Sequence, residues 1–474
     1  MSSTVMDPET ERVVEAAHRA SPEVAARPYA ERAGWLESLA EALTAHRDEL
    51  VDIADRETHL GAQRLAGEVV RTTGQLRMFA DAVREGAFLE AIIDHRRDDA
   101  TPPAPDLRRM LVPLGPVAVF AASNFPFAFS VLGGDTASAL AGGNPVVVKA
   151  HEGHPVLSRR VLELAQEAVQ DAPAGLIGMI EGQAQGVALV QDSRIRAVGF
   201  TGSQRGGRYL FDLAMARPDP IPFHGELGSL NPVVVTEAAA EARAEEIAAG
   251  LAASFTLGAG QFCTKPGLVL TPAGSGLADR VAAHAGPVPH PLLNERIAAG
   301  FRDGLAQMLT TDGVERVSDH SDTAPAVLRT STDRVREAPE VLLEEVFGPT
   351  TLIVEYRDEA DLNDVLTLLP ASLTASVHTA EGEDVGAAMA ALTERAGRVV
   401  FGGWPTGVAV TAAQHHGGPY PASTSVHTSV GTTAVRRFLR PLCYQDVPEA
   451  CLPLALRDGN PLGIPRQVDG ATVG

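Results

Sequence analysis

The spacing of apolar positions changes character along the chain. Over the first hundred residues it has a helical period. In ERAGWLESLAEALTAHRDELVDIADRETHLG, residues Trp35, Leu36, Leu39, Leu43, Leu50 and Ile53 fall on one helical face, and Gly61 suits a C-terminal cap. From residue 116 the pattern becomes short apolar runs bounded by Gly, Pro or Asn: PVAVFAA, NPVVVKA, GLIGMIEG and IRAVGFTG, with the helical LSRRVLELAQEAV among them. A second series follows: NPVVVTE, an alanine-rich helix from about 238 to 257, PGLVLTP, TTLIVEY, SLTASVHT and GRVVFGG. Strand-length apolar runs alternating with helices predict parallel, doubly wound sheets, and the two series predict two successive α/β domains. Between helices and strands, RRDDATPPAPDLRRM is polar and proline-rich, and reads as a linker or as a hairpin leaving the domain. The tail after Arg440 has little periodicity and is expected to pack on other elements.

Composition narrows the function classes. A chain of 474 residues exceeds one ordinary core. A net charge of −21 argues against a nucleic-acid partner, which selects basic surfaces. No apolar stretch approaches the ~18 residues of a membrane span, and the charged start MSSTVMDPETERVVEAAHRA has no signal-peptide core. The three cysteines, Cys263, Cys443 and Cys451, form neither an even disulfide framework nor a zinc-like pairing. A reducing, cytoplasmic location and no metal are the expectation.

Several residues carry candidate chemistry. Cys263, in FTLGAGQFCTKPGLVL, follows a glycine-loosened segment instead of sitting inside an apolar strand. Thiolate is the nucleophilic form, so a reactive cysteine needs a base or a favourable field. Glu226, flanked by glycines in PFHGELGSLNP, is the candidate base. Asn124, in FAASNFPFAF, follows a predicted strand, at the end where open α/β sheets bind ligands; its amide could stabilise an oxyanion. In AVGFTGSQRGGRYLF a strand runs through Gly202 and Ser203 into a helix whose N-terminus favours a phosphate, although the G-x-G-x-x-G fingerprint is absent. Lys149 would be a strand-end cation near the same crevice. Read singly, each residue has a bland alternative: a core thiol, a surface carboxylate, a turn asparagine.

Together these stretches resemble the aldehyde dehydrogenase superfamily from about residue 30 to the C-terminus. SNFPF, GNPVVVKAHE, GFTGS, HGELGSLNP, GAGQFCTKPG and EEVFGP occur in the family's order and approximate spacing. The resemblance implies that Cys263 attacks an aldehyde, that Asn124 and the Cys263 N–H meet the oxyanion, and that Glu226 activates water against the resulting thioester. It implies ribose and nicotinamide contacts from Glu345 and Phe347, and a pyrophosphate turn from Gly202, Ser203 and Gly207. Glu152 stands three residues after Lys149, where NAD-preferring members carry glutamate; NAD is therefore expected as the preferred cofactor, with NADP also usable. Residues 1–95 with 116–223 would form the Rossmann-like cofactor domain, 96–115 an oligomerisation hairpin, 224–440 the thiol-bearing domain, and 441–474 a tail with an oligomerisation strand in LGIPRQV. A homodimer or homotetramer follows from that resemblance.

The sequence departs from the commonest family pattern at Ser229, which replaces the last glycine of Glu-Leu-Gly-Gly, and in HHGGPYPASTSVHTSVGTTAVRRFLRPLCYQDVPEACLP. Both departures resemble the branch of 2,5-dioxovalerate (α-ketoglutaric semialdehyde) and long-chain aldehyde dehydrogenases. That branch implies 2,5-dioxopentanoate as substrate, with a medium- or long-chain alkyl aldehyde as the alternative; a CoA-acylating dehydrogenase and a non-catalytic protein on the same fold rank lower. Phe125, Phe262 and Tyr420 are expected to wall the substrate tunnel, and Lys265 is a candidate cationic contact.

Overall fold

A computed structural model describes residues 5–288, 290–320 and 324–473. Three sheets organise them. In the first, all strands run parallel in the order Ile177–Ile180, Val146–Lys149, Val117–Phe120, Ala197–Thr201 and Phe223–Glu226. Every residue of the strands at Val117 and Val146 is buried, as expected where helices cover both faces. One face packs on the N-terminal helices. Helix Tyr29–Ala45 contributes Ala33, Leu36, Leu39, Ala40 and Leu43, all 0 % exposed, to the same cluster as Val117, Val119, Val146 and Val148. The other face meets Val14 and Ala17 of helix Pro8–Ala26.

The second sheet has seven strands: Glu315–Arg316, Ala326–Ser331, Thr350–Tyr356, Leu268–Pro272, Val233–Val235, Ser372–His378 and Ala396–Phe401. All pairs are parallel except the first. Two doubly wound α/β units are thus present, and each apolar run singled out in the sequence is a strand of one of them. Helix Glu237–Thr256, started by the Thr236 hydroxyl accepting from the Ala239 N–H, covers the second sheet through Ile247, Leu251 and Phe255. No described helix is long and apolar enough to cross a membrane.

The third sheet corrects the sequence-based boundaries. Its order is Leu439–Gln445, Leu107–Pro113, Ile92–Asp94, Arg466–Val468 and Ala471–Val473. The excursion between the helices and the first sheet therefore starts at Ile92, ahead of residue 96, because Ile92 pairs with Arg109 and Asp94 with Leu107. The tail supplies three strands in place of one, and Arg466–Val468 pairs in parallel with Ile92–Asp94 of its own chain. The boundary expected at 223/224 would cut strand Phe223–Glu226, which belongs to the first sheet by its pairing with Ala197–Thr201.

Asn144 fastens the first and third sheets together. It is 0 % exposed; its Oδ1 accepts from the Gly115 N–H at 2.9 Å, and its Nδ2 donates to Ala139 O and Phe438 O, both at 3.1 Å. Asn144→Ala leaves the buried Gly115 N–H without that partner, which costs about 1–3 kcal/mol. Differential scanning calorimetry should show a melting temperature several degrees lower with an unchanged far-UV spectrum; an unchanged melting temperature would contradict the fastening role.

Candidate active site

The backbone around Cys263 is shaped before the thiol is placed. After helix Glu237–Thr256, residues Gly258, Ala259 and Gly260 all take left-handed conformations, with φ of 57°, 55° and 68°. At Gly260 an added Cβ would stand 2.2 Å from Gly348 O, so only glycine passes there. Gln261, 0 % exposed, then ties three segments: its side chain donates to Gly258 O and accepts from the Leu293 N–H, while its carbonyl accepts from Asn124 Nδ2 at 3.0 Å. Asn231 completes the clamp. Its Nδ2 donates to Cys263 O at 2.8 Å and to Lys265 O at 2.9 Å, and its Oδ1 accepts from the Ser229 hydroxyl and the Thr374 N–H. Ser229 Oγ also accepts from the Leu373 N–H. The serine that departs from the usual Gly-Gly thus locks the clamp to strand Ser372–His378.

Glu226 ends the last strand of the first sheet and faces the thiol. Between them lies a residue the sequence reading missed. His416 Nε2 is 3.0 Å from Glu226 Oε1 and 3.6 Å from Cys263 Sγ, and one ligand atom from each of the three residues lies within 4.8 Å of the other two. Ser429 Oγ donates to Glu226 Oε2 at 2.6 Å. His416 is 2 % exposed and is held by its own N–H donating to Thr428 Oγ1 and its carbonyl accepting from the Ser429 N–H. The segment reaches this place by lying along the sheet edge: Leu227 N–H donates to Ala422 O, Thr424 N–H donates to Gly225 O, and Glu226 bridges Ser423. The one available signal was the paired histidine and glycine of HHGG inside a stretch without strand or helix periodicity.

Burial and charge set the resting protonation. Burial pushes the Cys263 thiol well above its ordinary value, the Glu226 charge adds to the push, and Arg71 pulls partly back. Burial also pushes Glu226 up, but the charge and hydrogen bond of His416, with hydrogen bonds from Ser429 and Cys263, outweigh it and hold the carboxyl below its usual range. The resting site pairs a neutral thiol with a carboxylate.

Cys263, Glu226 and Asn124 open on one cavity of about 750 Å³, which runs past Phe347 and Glu345 to Gly202, Ser203, Lys149 and Glu152. Ser203 caps helix Gln204–Met215, its Oγ accepting from the Gly206 N–H. Lys149 and Glu152 form an ion pair at the strand end. Glu345 Oε2 accepts from the Ser229 N–H, and burial pushes its carboxyl up against the opposing charge of Lys265.

A model of the aldehyde dehydrogenase family matches residues 3–440. The chain belongs to the aldehyde dehydrogenase family. It is 45 % identical over 481 aligned positions to α-ketoglutaric semialdehyde dehydrogenase 2 of Azospirillum brasilense, covering 98 % of this chain and 91 % of that one. It is 41 % identical, with the same coverage, to the α-ketoglutaric semialdehyde dehydrogenase of Acinetobacter baylyi. A crystal structure of an aldehyde dehydrogenase from Burkholderia cenocepacia superposes with a TM-score of 0.77 at 24 % identity, covering 93 % of this chain and 92 % of that one, which shows the fold.

Aldehyde dehydrogenases use NAD(P), and the cavity fits that group. A twelve-residue helix opens on it with its first-turn N–H groups, and carboxylates and a lysine line the far end. Gly207 is not on the cavity wall: an added Cβ would stand 2.1 Å from Leu227 Cδ2, so it lets the helix pack closely, while Gly206 faces the cavity. Two substrate-side expectations are corrected. Lys265 is 1 % exposed and donates to Val346 O and Thr350 O at 2.9 and 2.8 Å, behind the Cys263 loop and away from the cavity. Tyr420 is 51 % exposed and its hydroxyl accepts from Arg208 on the surface. Phe125 and Phe262 do meet, edge to face at 5.3 Å, in an apolar cluster with Phe129 and Val430.

The thiol's raised pKa carries a sign that alkylation can test. Removing the Glu226 charge removes one cause of the upward push, so Glu226→Gln should increase the thiolate fraction at neutral pH. Iodoacetamide labelling of Cys263, read by peptide mapping because Cys443 and Cys451 are exposed, should be slow at pH 7 in the wild type, accelerate with pH, and run several-fold faster at pH 7 in the variant. A slower variant would reverse the assigned electrostatics.

Proposed function

We propose that this aldehyde dehydrogenase oxidises 2,5-dioxopentanoate to 2-oxoglutarate. The observation that carries the reading is the likeness, over 98 % of the chain, to two α-ketoglutaric semialdehyde dehydrogenases. The geometry supports the following course. Cys263 Sγ, its proton lost to water in the cavity, attacks the aldehyde carbon, while His416 Nε2, 3.0 Å from Glu226 Oε1, keeps its hydrogen on that carboxylate. One Asn124 N–H is held by Gln261 O; its second amide hydrogen and the Cys263 N–H serve the oxyanion, a contribution of roughly 3 kcal/mol in comparable sites. NAD(P), when bound, supplies the hydride acceptor, held by Lys149, Glu152, Gly202, Ser203, Glu345 and Phe347. Cys263 then carries the acyl group as a thioester. Glu226, oriented by Ser429, takes a proton from the water that cleaves it, and the thiol is regenerated.

NAD is the proposed preferred cofactor. A carboxylate at Glu152 accepts from ribose hydroxyls, whereas a 2′-phosphate would meet like charge at a penalty of roughly 1–4 kcal/mol. Lys149, already paired with Glu152, offsets part of that, so NADP is a usable second cofactor. The apolar cluster at Phe125 and Phe262 favours a medium- or long-chain alkyl aldehyde as the competing substrate. The exposed edge strand Leu439–Gln445 supports a homodimer.

An NAD(P)H-release panel with both cofactors tests the reading. The wild type should turn over 2,5-dioxopentanoate with a higher kcat/KM than hexanal, and faster with NAD than with NADP. Glu152→Thr should narrow the cofactor gap. Glu226→Gln should give a burst of NAD(P)H followed by slow turnover. A tenfold preference for hexanal would move the assignment to alkyl aldehydes, and a wild type favouring NADP would overturn the role of Glu152.

A further inference from the structure

Helix Ala62–Glu85 sends three charged side chains, Arg64, Glu68 and Arg71, from one face towards the apolar cluster beside Cys263. Two of them are committed to the backbone. Arg64 Nη2 donates to Asn124 O at 2.7 Å, and its guanidinium lies 4.8 Å from the Phe262 ring and 5.2 Å from Phe125. Glu68, 5 % exposed, accepts from the Phe127 and Ala128 N–H groups through Oε1 at 2.8 and 2.9 Å. Both therefore position the Asn124 loop.

Arg71 is different. Its guanidinium stands over the faces of Phe125 and Phe129, 5.6 and 5.7 Å from their centroids, and among the described residues its buried Nε has no hydrogen-bond partner. Burial pulls its pKa down, and the charges that oppose this are Glu68 first, then Cys263 and Glu226. Arg71 thus lies within electrostatic reach of the catalytic groups. Two other cations near the thiol loop are engaged: Arg398 donates to Gly407 O and Pro405 O, and Lys265 to Val346 O and Thr350 O. A buried guanidinium Nε with no partner is unfavourable unless something arrives to fill it.

We propose that Arg71 receives the remote carboxylate of the substrate across the face of Phe125. The proposal rests on the reading of a carboxylated semialdehyde as substrate. In 2,5-dioxopentanoate the carboxylate carbon is four bonds from the aldehyde carbon, about 5 Å in an extended chain. Phe125 packs against Phe262, next to Cys263 in the chain, and Arg71 lies over the Phe125 ring, so the substrate's short chain would run along that apolar ring from the thiol to the guanidinium. The planar fork matches a carboxylate with two parallel hydrogen bonds. Arg71 is in this account a specificity-determining residue, and Arg64 a positioning residue.

The test compares Arg71→Met, Arg71→Lys and Arg64→Met on 2,5-dioxopentanoate and on pentanal, which has the same chain length without the charge. Arg71→Met should lower kcat/KM for 2,5-dioxopentanoate roughly 100-fold, mainly through KM, and lower that for pentanal only a few-fold, through kcat, because the thiol loses a cation that favours its ionisation. Arg71→Lys should recover part of the loss. Arg64→Met should lower both substrates together. Inhibition of pentanal oxidation by glutarate reads the cation without invoking the substrate assignment, and should weaken by a similar factor in Arg71→Met. Equal losses on both substrates, or undiminished glutarate inhibition, would overturn the proposal. A wild type that prefers pentanal, yet loses glutarate inhibition with Arg71, would sink the substrate reading and leave the cation in place.

Discussion

A buried carboxylate beside a half-buried thiol is the arrangement on which the rest of the site depends. Glu226 is 4 % exposed, and its charge disfavours ionisation of the neighbouring thiol. Left alone, burial would protonate the carboxyl and the thiol together and the site would be inert. His416 changes this, because one ring nitrogen lies within reach of both groups. It stabilises the carboxylate at rest, so Glu226 stays ionised although it is buried. Ser429 holds the other carboxylate oxygen, so Glu226 is oriented as well as ionised.

Three separate parts of the fold must meet to build that corner. Glu226 arrives on the end of a first-sheet strand, Cys263 on a left-handed loop ahead of a second-sheet strand, and His416 on a segment pinned along the first sheet's edge. Asn231 and Gln261 fix the loop by its carbonyls, leaving the thiol itself unencumbered on the cavity wall. The precision of the chemistry comes from buried amides that take no part in it.

Much of this was legible in the sequence where a residue acts through its own neighbourhood. Apolar runs between glycines and prolines become parallel strands because both faces are covered, and Cys263, Glu226 and Asn124 are recognisable by local motif. What escaped depends on long-range pairing. Strand Phe223–Glu226 (FHGE) has one large apolar residue and exists because Ala197–Thr201 pairs with it. Strand Ala326–Ser331 carries Arg329, whose guanidinium reaches Asp279 and Glu315, so its pattern does not read as a central strand. The tail strands carry no apolar pattern because little of them is buried: only Leu439 is buried in Leu439–Gln445, and Ala471–Val473 is exposed throughout. His416 sits 153 residues from the thiol beside it. Lys265 and Tyr420 misled for a related reason: nearness in sequence or aromatic character says nothing about which way a side chain points.

The central claim is that Cys263 carries the substrate covalently and that Glu226 releases it. Rapid quench of the enzyme mixed with 2,5-dioxopentanoate and NAD, followed by peptide mass spectrometry, tests it most directly. The account predicts an acyl adduct on the peptide containing Cys263, short-lived in the wild type and accumulating when Glu226 is replaced by glutamine. Full turnover with no adduct on Cys263 at any quench time would contradict it.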